Sequence, residues 1–181
     1  YLPYDEEHPT KPVNPYGRTK LIIENIINDW TEVDTKRKGT ILRYFNPVGA
    51  HESGLIGEEP IGIPNNLMPF IAQVTEGRRE YLNIFGNDYE TTDGTGARDY
   101  IHVVDLALAH TIALNPNVLN KFEIYNIGAG KSTTVLELVN KFEKISGVPI
   151  KFKYLPRREG DLPAFWADSS KALEKKGWQP E

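Results

Sequence analysis

Between positions 16 and 30 the apolar residues Leu21, Ile22, Ile23, Ile26, Ile27 and Trp30 recur at three- and four-residue steps. That spacing predicts an amphipathic helix. Pro15 suits its first turn, where a missing N–H costs nothing, and Pro9, Pro12 and Pro15 keep the preceding segment out of a helix interior. The run 39–45 (Gly-Thr-Ile-Leu-Arg-Tyr-Phe) predicts a buried strand. Positions 46–66 then lack any period. Irregular loops longer than about 12–15 residues are uncommon unless they are functional or disordered, so a working loop is expected there, with a possible seam between two parts of the chain. Beyond it the pattern predicts a helix over 67–78, a strand over 81–85, a polar loop over 86–97 and a strand over 99–103. Asp105 is expected to cap a helix over 106–115. A strand over 122–127 and a turn over 128–131 follow. Thr134-Val-Leu-Glu137 reads as a capping box opening a helix that ends near position 146. A strand over 150–154, an extended piece over 164–167 and a helix over 170–176 stopped by Gly177 complete the chain. Strands alternate with helices almost throughout, which predicts an α/β fold with a largely parallel sheet.

Composition narrows the function classes. The 181 residues make one domain or one and a half, and 39% apolar with 10% aromatic residues can fill a core. Twenty-one basic against 25 acidic residues give a net charge of −4, which offers nothing to a nucleic acid or an anionic membrane. Cysteine is absent, so disulfides, thiol nucleophiles and Cys-ligated zinc are excluded. A reduced, cytoplasmic location is expected. No apolar run approaches the roughly 20 residues of a membrane helix, and no signal peptide opens the chain. It starts Tyr-Leu-Pro-Tyr without a Met and is read as a piece of something longer.

Four motifs carry candidate chemistry. Tyr16 and Lys20 are four residues apart, on one helix face. An ammonium beside a phenol favours the phenolate, which suits proton transfer to or from an alcohol or carbonyl; a solvated Tyr and Lys fit the same spacing. Asn46 lies where a buried strand ends, and ligands in parallel α/β sheets sit beyond such ends; a plain Asn-Pro turn is the alternative. Asn65-Asn66-Leu67 opens a helix, a place for either an anion or an ordinary cap. Arg98, Arg157, Arg158 and Asp161 lie at strand ends, where arginines can bind phosphate bidentately or simply face solvent. Gly128-Ala-Gly-Lys-Ser132 is rejected as a phosphate loop because position 125, where the first glycine belongs, is Tyr125. Asp88, Glu90 and Asp93-Gly94 lack calcium-loop spacing, and His8, His51, His102 and His110 show no metal-ligand spacing. No metal is expected.

In this order and spacing, Asn14-Pro-Tyr16-Gly-Arg-Thr-Lys20, Leu42-Arg-Tyr-Phe-Asn46-Pro-Val-Gly-Ala-His51, Gly62-Ile-Pro-Asn-Asn66-Leu67, Ile84-Phe-Gly-Asn-Asp88, Asp93-Gly-Thr-Gly-Ala-Arg98-Asp-Tyr-Ile-His102 and Pro156-Arg-Arg-Glu-Gly-Asp161-Leu-Pro resemble the UDP-glucose 4-epimerases of the extended short-chain dehydrogenase/reductase family. The resemblance spans essentially the whole chain. It implies the C-terminal half of a Rossmann-like fold with a small α/β substrate-binding domain. Residues 1–50 would finish the NAD-binding part and 51–181 would mainly bind UDP-sugar, with 98–127 returning to the Rossmann-like part. It also implies interconversion of UDP-glucose and UDP-galactose through a 4-keto intermediate, with transient hydride transfer to bound NAD, in a homodimer of the complete protein. Tyr16 resembles the catalytic base. Lys20 resembles the lysine that holds the nicotinamide ribose, and Phe45 would lie beside the nicotinamide. Asn46, Asn66 and Leu67 resemble contacts to the sugar and diphosphate, Asn83 and Phe85 the uracil pocket, Arg98 and Arg158 the diphosphate clamp, and Asp161 the ribose ligand. Phe165 matches the position that gates the sugar pocket. Two departures stand out. The family's opening G-x-G-x-x-G is absent, and its third catalytic partner, a Ser or Thr, has no counterpart ahead of Tyr16. A related nucleotide-sugar dehydratase or decarboxylase, or a non-catalytic UDP-sugar-binding module, remains as the alternative.

Overall fold

The computed structural model describes residues 1–115 and 120–181. The chain opens with α1 (Pro15–Glu32), β1 (Gly39–Tyr44) and β2 (Asn46–Val48). The Asn14 side chain accepts from the Gly17 N–H at 2.7 Å, so the helix starts one residue after its cap, at the proline expected there. Glu24 binds Arg43 of β1 through two contacts, at 2.8 and 2.7 Å, in a part-buried fork. Gly39 lets helix and strand meet closely: a Cβ there would come within 2.9 Å of Ile27 and 3.0 Å of Thr31.

The next elements are α2 (Leu67–Thr75), β3 (Leu82–Phe85), β4 (Ala97–Arg98), β5 (Tyr100–His102) and α3 (Val103–Ala113). Then come β6 (Phe122–Ile127), β7 (Thr133–Thr134), α4 (Val135–Ser146), β8 (Phe152–Leu155), β9 (Ala164–Phe165) and α5 (Ser170–Lys176), which Gly177 ends. Strand pairs β1–β6, β2–β5, β3–β8 and β4–β9 are parallel, and β4–β7 is antiparallel. The fold is therefore α/β with mainly parallel pairing, as the alternation of elements predicts.

Among the described residues two apolar clusters form. One joins Ile101, Leu106, Ala109, Tyr125, Ile127, Ala172 and Trp178, with Leu42 against it. The other joins Ile71, Val74, Leu82, Ile84, Val139 and Ile150.

Three expectations are corrected. The strand predicted over 99–103 is shorter, β5 alone, and a separate strand, β4, ends the predicted loop just before the break at Asp99. Asp99 is fully buried and accepts the N–H groups of Ala129 (2.7 Å), Gly130 (3.1 Å) and Ala167 (3.0 Å), so the chain switches sheets there: β4 pairs with β7 and β9, β5 with β2. The cap of α3 is His102, whose Nδ1 accepts from the Val104 N–H at 3.3 Å; Asp105 lies inside the first turn, where a carboxylate favours the helix dipole. The predicted loop begins with β2 rather than irregular chain. Of the segment 98–127, positions 116–119 lie outside the described residues.

Candidate active site

A cleft of about 480 Å³ opens between β2, the start of α2, β3, β4–β5 and the turn after β8. That size suits a drug-sized ligand. Its walls bring together eight of the residues singled out from sequence: Asn46, Asn66, Leu67, Asn83, Phe85, Arg98, Arg158 and Asp161. The second apolar cluster backs it through Leu67, Met68, Leu82, Ile84 and Val135.

Each polar side chain is placed for a local reason. Asn66 precedes α2 in extended conformation, yet its amide does not cap the helix; it donates to Glu58 at 3.2 Å. The first turn of α2 thus has no side-chain cap at the cleft wall, leaving N–H groups for an anion. Arg98 ends β4. Its Nη1 donates to the carbonyls of Ala97 and Leu162, both at 2.9 Å, and its Nη2 lies 3.7 Å from Asp161. Burial is the main influence on this guanidinium and lowers its pKa, with Asp161, Tyr100 and Tyr89 acting against it. Arg158 donates from Nε to the other Asp161 oxygen at 3.0 Å and lies over the Phe85 ring at 4.9 Å. Two guanidiniums thus share one carboxylate, leaving a positive edge suited to a diphosphate. Arg157 turns elsewhere, pairing with Asp88 at 2.7 Å over the Tyr89 ring.

Four of the expected residues are not in the cleft wall. Phe165 sits behind Arg98, which covers its ring at 4.7 Å, and it packs near Phe45 (5.9 Å) and Tyr4 (6.4 Å). Phe45 immediately precedes the cleft residue Asn46. Tyr16 is 72% exposed at the start of α1, with Lys20 Nζ 5.1 Å from its ring centre. The helix spacing therefore does bring this pair together, on an open face.

Sequence reading missed two phenols in the wall, Tyr89 and Tyr100. Tyr100 opens β5, just past the break at Asp99 that follows Arg98, so only the folded chain places both in one wall. Burial pushes its phenol up to about 12, so it stays a donor at neutral pH. The rejected Gly128–Ser132 turn is explained by its amides, which bind Asp99 rather than a ligand. Among the described residues no group of three or more His, Cys, Asp and Glu is placed to hold a metal, and no helix is long and apolar enough to cross a membrane.

The sequence matches the GDP-mannose 4,6 dehydratase family over residues 1–181. A UDP-glucose 4-epimerase of Yersinia pestis is 57% identical over 98% of this chain and 53% of its own length. The human UDP-glucose 4-epimerase is 54% identical over 98% of this chain and 52% of its own. The solved UDP-glucose 4-epimerase of Bifidobacterium longum, in complex with NAD+ and UDP, superposes with a TM-score of 0.94 at 48% identity, over 100% of this chain and 54% of that one. The chain spans about half the length of the curated relatives it matches.

Proposed function

Because the chain belongs to the GDP-mannose 4,6 dehydratase family, and its relatives at 51–57% identity are UDP-glucose 4-epimerases, we propose that the complete protein interconverts UDP-glucose and UDP-galactose with bound NAD. In this reading the chain forms the C-terminal half of that protein. The observation that carries it is the pair Arg98 and Arg158 on one carboxylate, Asp161, beside a cleft whose other polar walls include Asn46, Asn66 and Asn83. That set suits an uncharged sugar and base joined through a diphosphate.

The roles follow from chemistry and position. Arg98 and Arg158 hold the diphosphate, with the uncapped start of α2 as a further source of N–H donors. Asp161 accepts from ribose hydroxyls. Asn83 and Phe85 face the base, and Asn46, Asn66 and Leu67 take the sugar end. Phe165 limits the sugar pocket from behind Arg98. Tyr16 takes the proton of the sugar 4-hydroxyl, and the Lys20 ammonium beside its ring stabilises the charge that develops.

NAD fits the residues present at one end. Tyr16 and Lys20 offer hydrogen-bonding groups for a ribose, and Phe45 offers a flat apolar face. No Gly-rich turn in this sequence would take the pyrophosphate. When bound, NAD supplies the reversible acceptor for the C4 hydrogen. Residues 1–50 and 98–127 are proposed to belong with the NAD-binding part and the remainder of 51–181 mainly with the UDP-sugar part. The shared core of Leu42 with Ile101, Leu106 and Tyr125 supports that division. The exposed apolar side of α1 (Ile22, Ile23, Ile26 and Trp30) supports the homodimer proposed for the complete protein. A cytoplasmic location is proposed from the cysteine-free composition.

The test is product analysis. The complete protein with UDP-galactose is expected to yield UDP-glucose until both sugars are present at equilibrium. A 4-keto-6-deoxy sugar, or released carbon dioxide, would refute the reading in favour of a dehydratase or decarboxylase. UDP binding without turnover would leave only a binding module.

A further inference from the structure

Tyr89 is 5% exposed and lines the cleft, and its hydroxyl has no hydrogen-bond partner. Its ring has little freedom to seek one. The Tyr89 N–H donates to the Gly94 carbonyl at 2.9 Å. Gly86, with φ at +81°, passes so close that a Cβ there would meet the ring at 2.5 Å. The Arg157 guanidinium covers the ring at 4.2 Å and is itself fixed by the Asp88 carboxylate at 2.7 Å and the Asp88 carbonyl at 2.6 Å. A buried hydroxyl left unpaired carries its full desolvation cost, so a ring held this firmly with its hydroxyl unmatched points to a partner that arrives with a ligand. The partner's position is set by the neighbours: Tyr89 lines the same cleft as Arg98 and Arg158, and these two arginines share Asp161.

We propose that the Tyr89 hydroxyl is a further ligand-contacting group, donating to a diphosphate oxygen held by Arg98. A neutral donor there adds a directed hydrogen bond without adding charge. It also favours a ligand with an acceptor at that point over one that ends at the nucleoside. The proposal rests on the UDP-sugar reading of the cleft.

The test uses the complete protein and its Tyr89→Phe variant, titrated with UDP by calorimetry and with uridine by ligand-observed NMR, with Tm measured alongside. The variant is expected to bind UDP about 5- to 10-fold more weakly, in line with one hydrogen bond, to bind uridine as the wild type does, and to keep its Tm. Wild-type binding of UDP with unchanged affinity in the variant overturns the proposal alone. Equal losses for UDP and uridine also overturn it, moving the contact to the nucleoside. A fall of several degrees in Tm does the same, by giving the hydroxyl a partner inside the protein. If the wild type fails to bind UDP at all, the UDP-sugar reading falls and this proposal with it.

Discussion

Arg158 offers both a charge and a shape, donating from Nε to Asp161 while lying over Phe85. A lysine keeps the charge and loses the planar fork. In the complete protein, Arg158→Ala is therefore expected to raise the Kd for UDP more than Arg158→Lys does. Isothermal titration checks the order; equal affinity in all three proteins would remove Arg158 from the site. Phe165 is held from three sides, by Arg98, Phe45 and Tyr4. Opening this stack is expected to favour a bulkier sugar, by up to the 1–3 kcal/mol, roughly 10-fold or more, that a steric pocket can discriminate. The ratio of kcat/KM for UDP-N-acetylgalactosamine to that for UDP-galactose should rise in Phe165→Ala. An unchanged ratio would leave Phe165 as packing alone.

At the scale of elements, α4 shows how local signals and tertiary contacts combine. Its capping box is complete: Thr134 Oγ1 accepts from the Glu137 N–H at 3.1 Å, and Glu137 accepts from the Thr134 N–H at 2.9 Å. Thr134 also donates to Asp93, whose carboxylate accepts from the Thr95 N–H at 2.9 Å and the Thr95 hydroxyl at 2.7 Å. Burial pushes Asp93 upward, but these donors together outweigh it and hold the carboxyl below its usual range. A carboxylate depressed in the folded state contributes stability above its unfolded pKa, about 3.9, and loses it as pH falls through the lower folded value. Asp93→Asn should thus lower Tm at pH 7, with the difference from wild type shrinking below about pH 4. A difference independent of pH would contradict the ionised role. Thr134→Ala, which breaks the cap as well, is expected to cost about 1 kcal/mol, read by denaturant unfolding.

The capping box, the period of α1 and the Gly177 stop were legible because neighbours in sequence decide them. The break at Asp99 was not, since its three amide partners lie about thirty and about seventy residues away and a strand reads the same on either side. His102 escaped as a cap because histidine is not among the usual capping residues. Eight cleft residues were legible through the order of their motifs. Tyr89 was not, because only the folded chain shows its hydroxyl unmatched.

For the whole molecule, the proposed reading separates binding from chemistry. Arg98 and Arg158, proposed to hold the diphosphate, line the cleft backed by the second apolar cluster. Tyr16 stands apart on the exposed start of α1 and does not line that cleft. The 181-residue chain on its own is expected to show no epimerase turnover, since its sequence holds no Gly-rich dinucleotide turn; measurable turnover in a coupled assay would contradict this. The most direct measurement compares the complete protein with its Tyr16→Phe variant, recording both the interconversion rate and the Kd for UDP. A phenol that transfers a proton and holds no nucleotide predicts a rate lower by about 10²–10⁴-fold with UDP affinity unchanged. Affinity lost in step with the rate would make Tyr16 a binding residue and contradict the division of labour between α1 and the cleft.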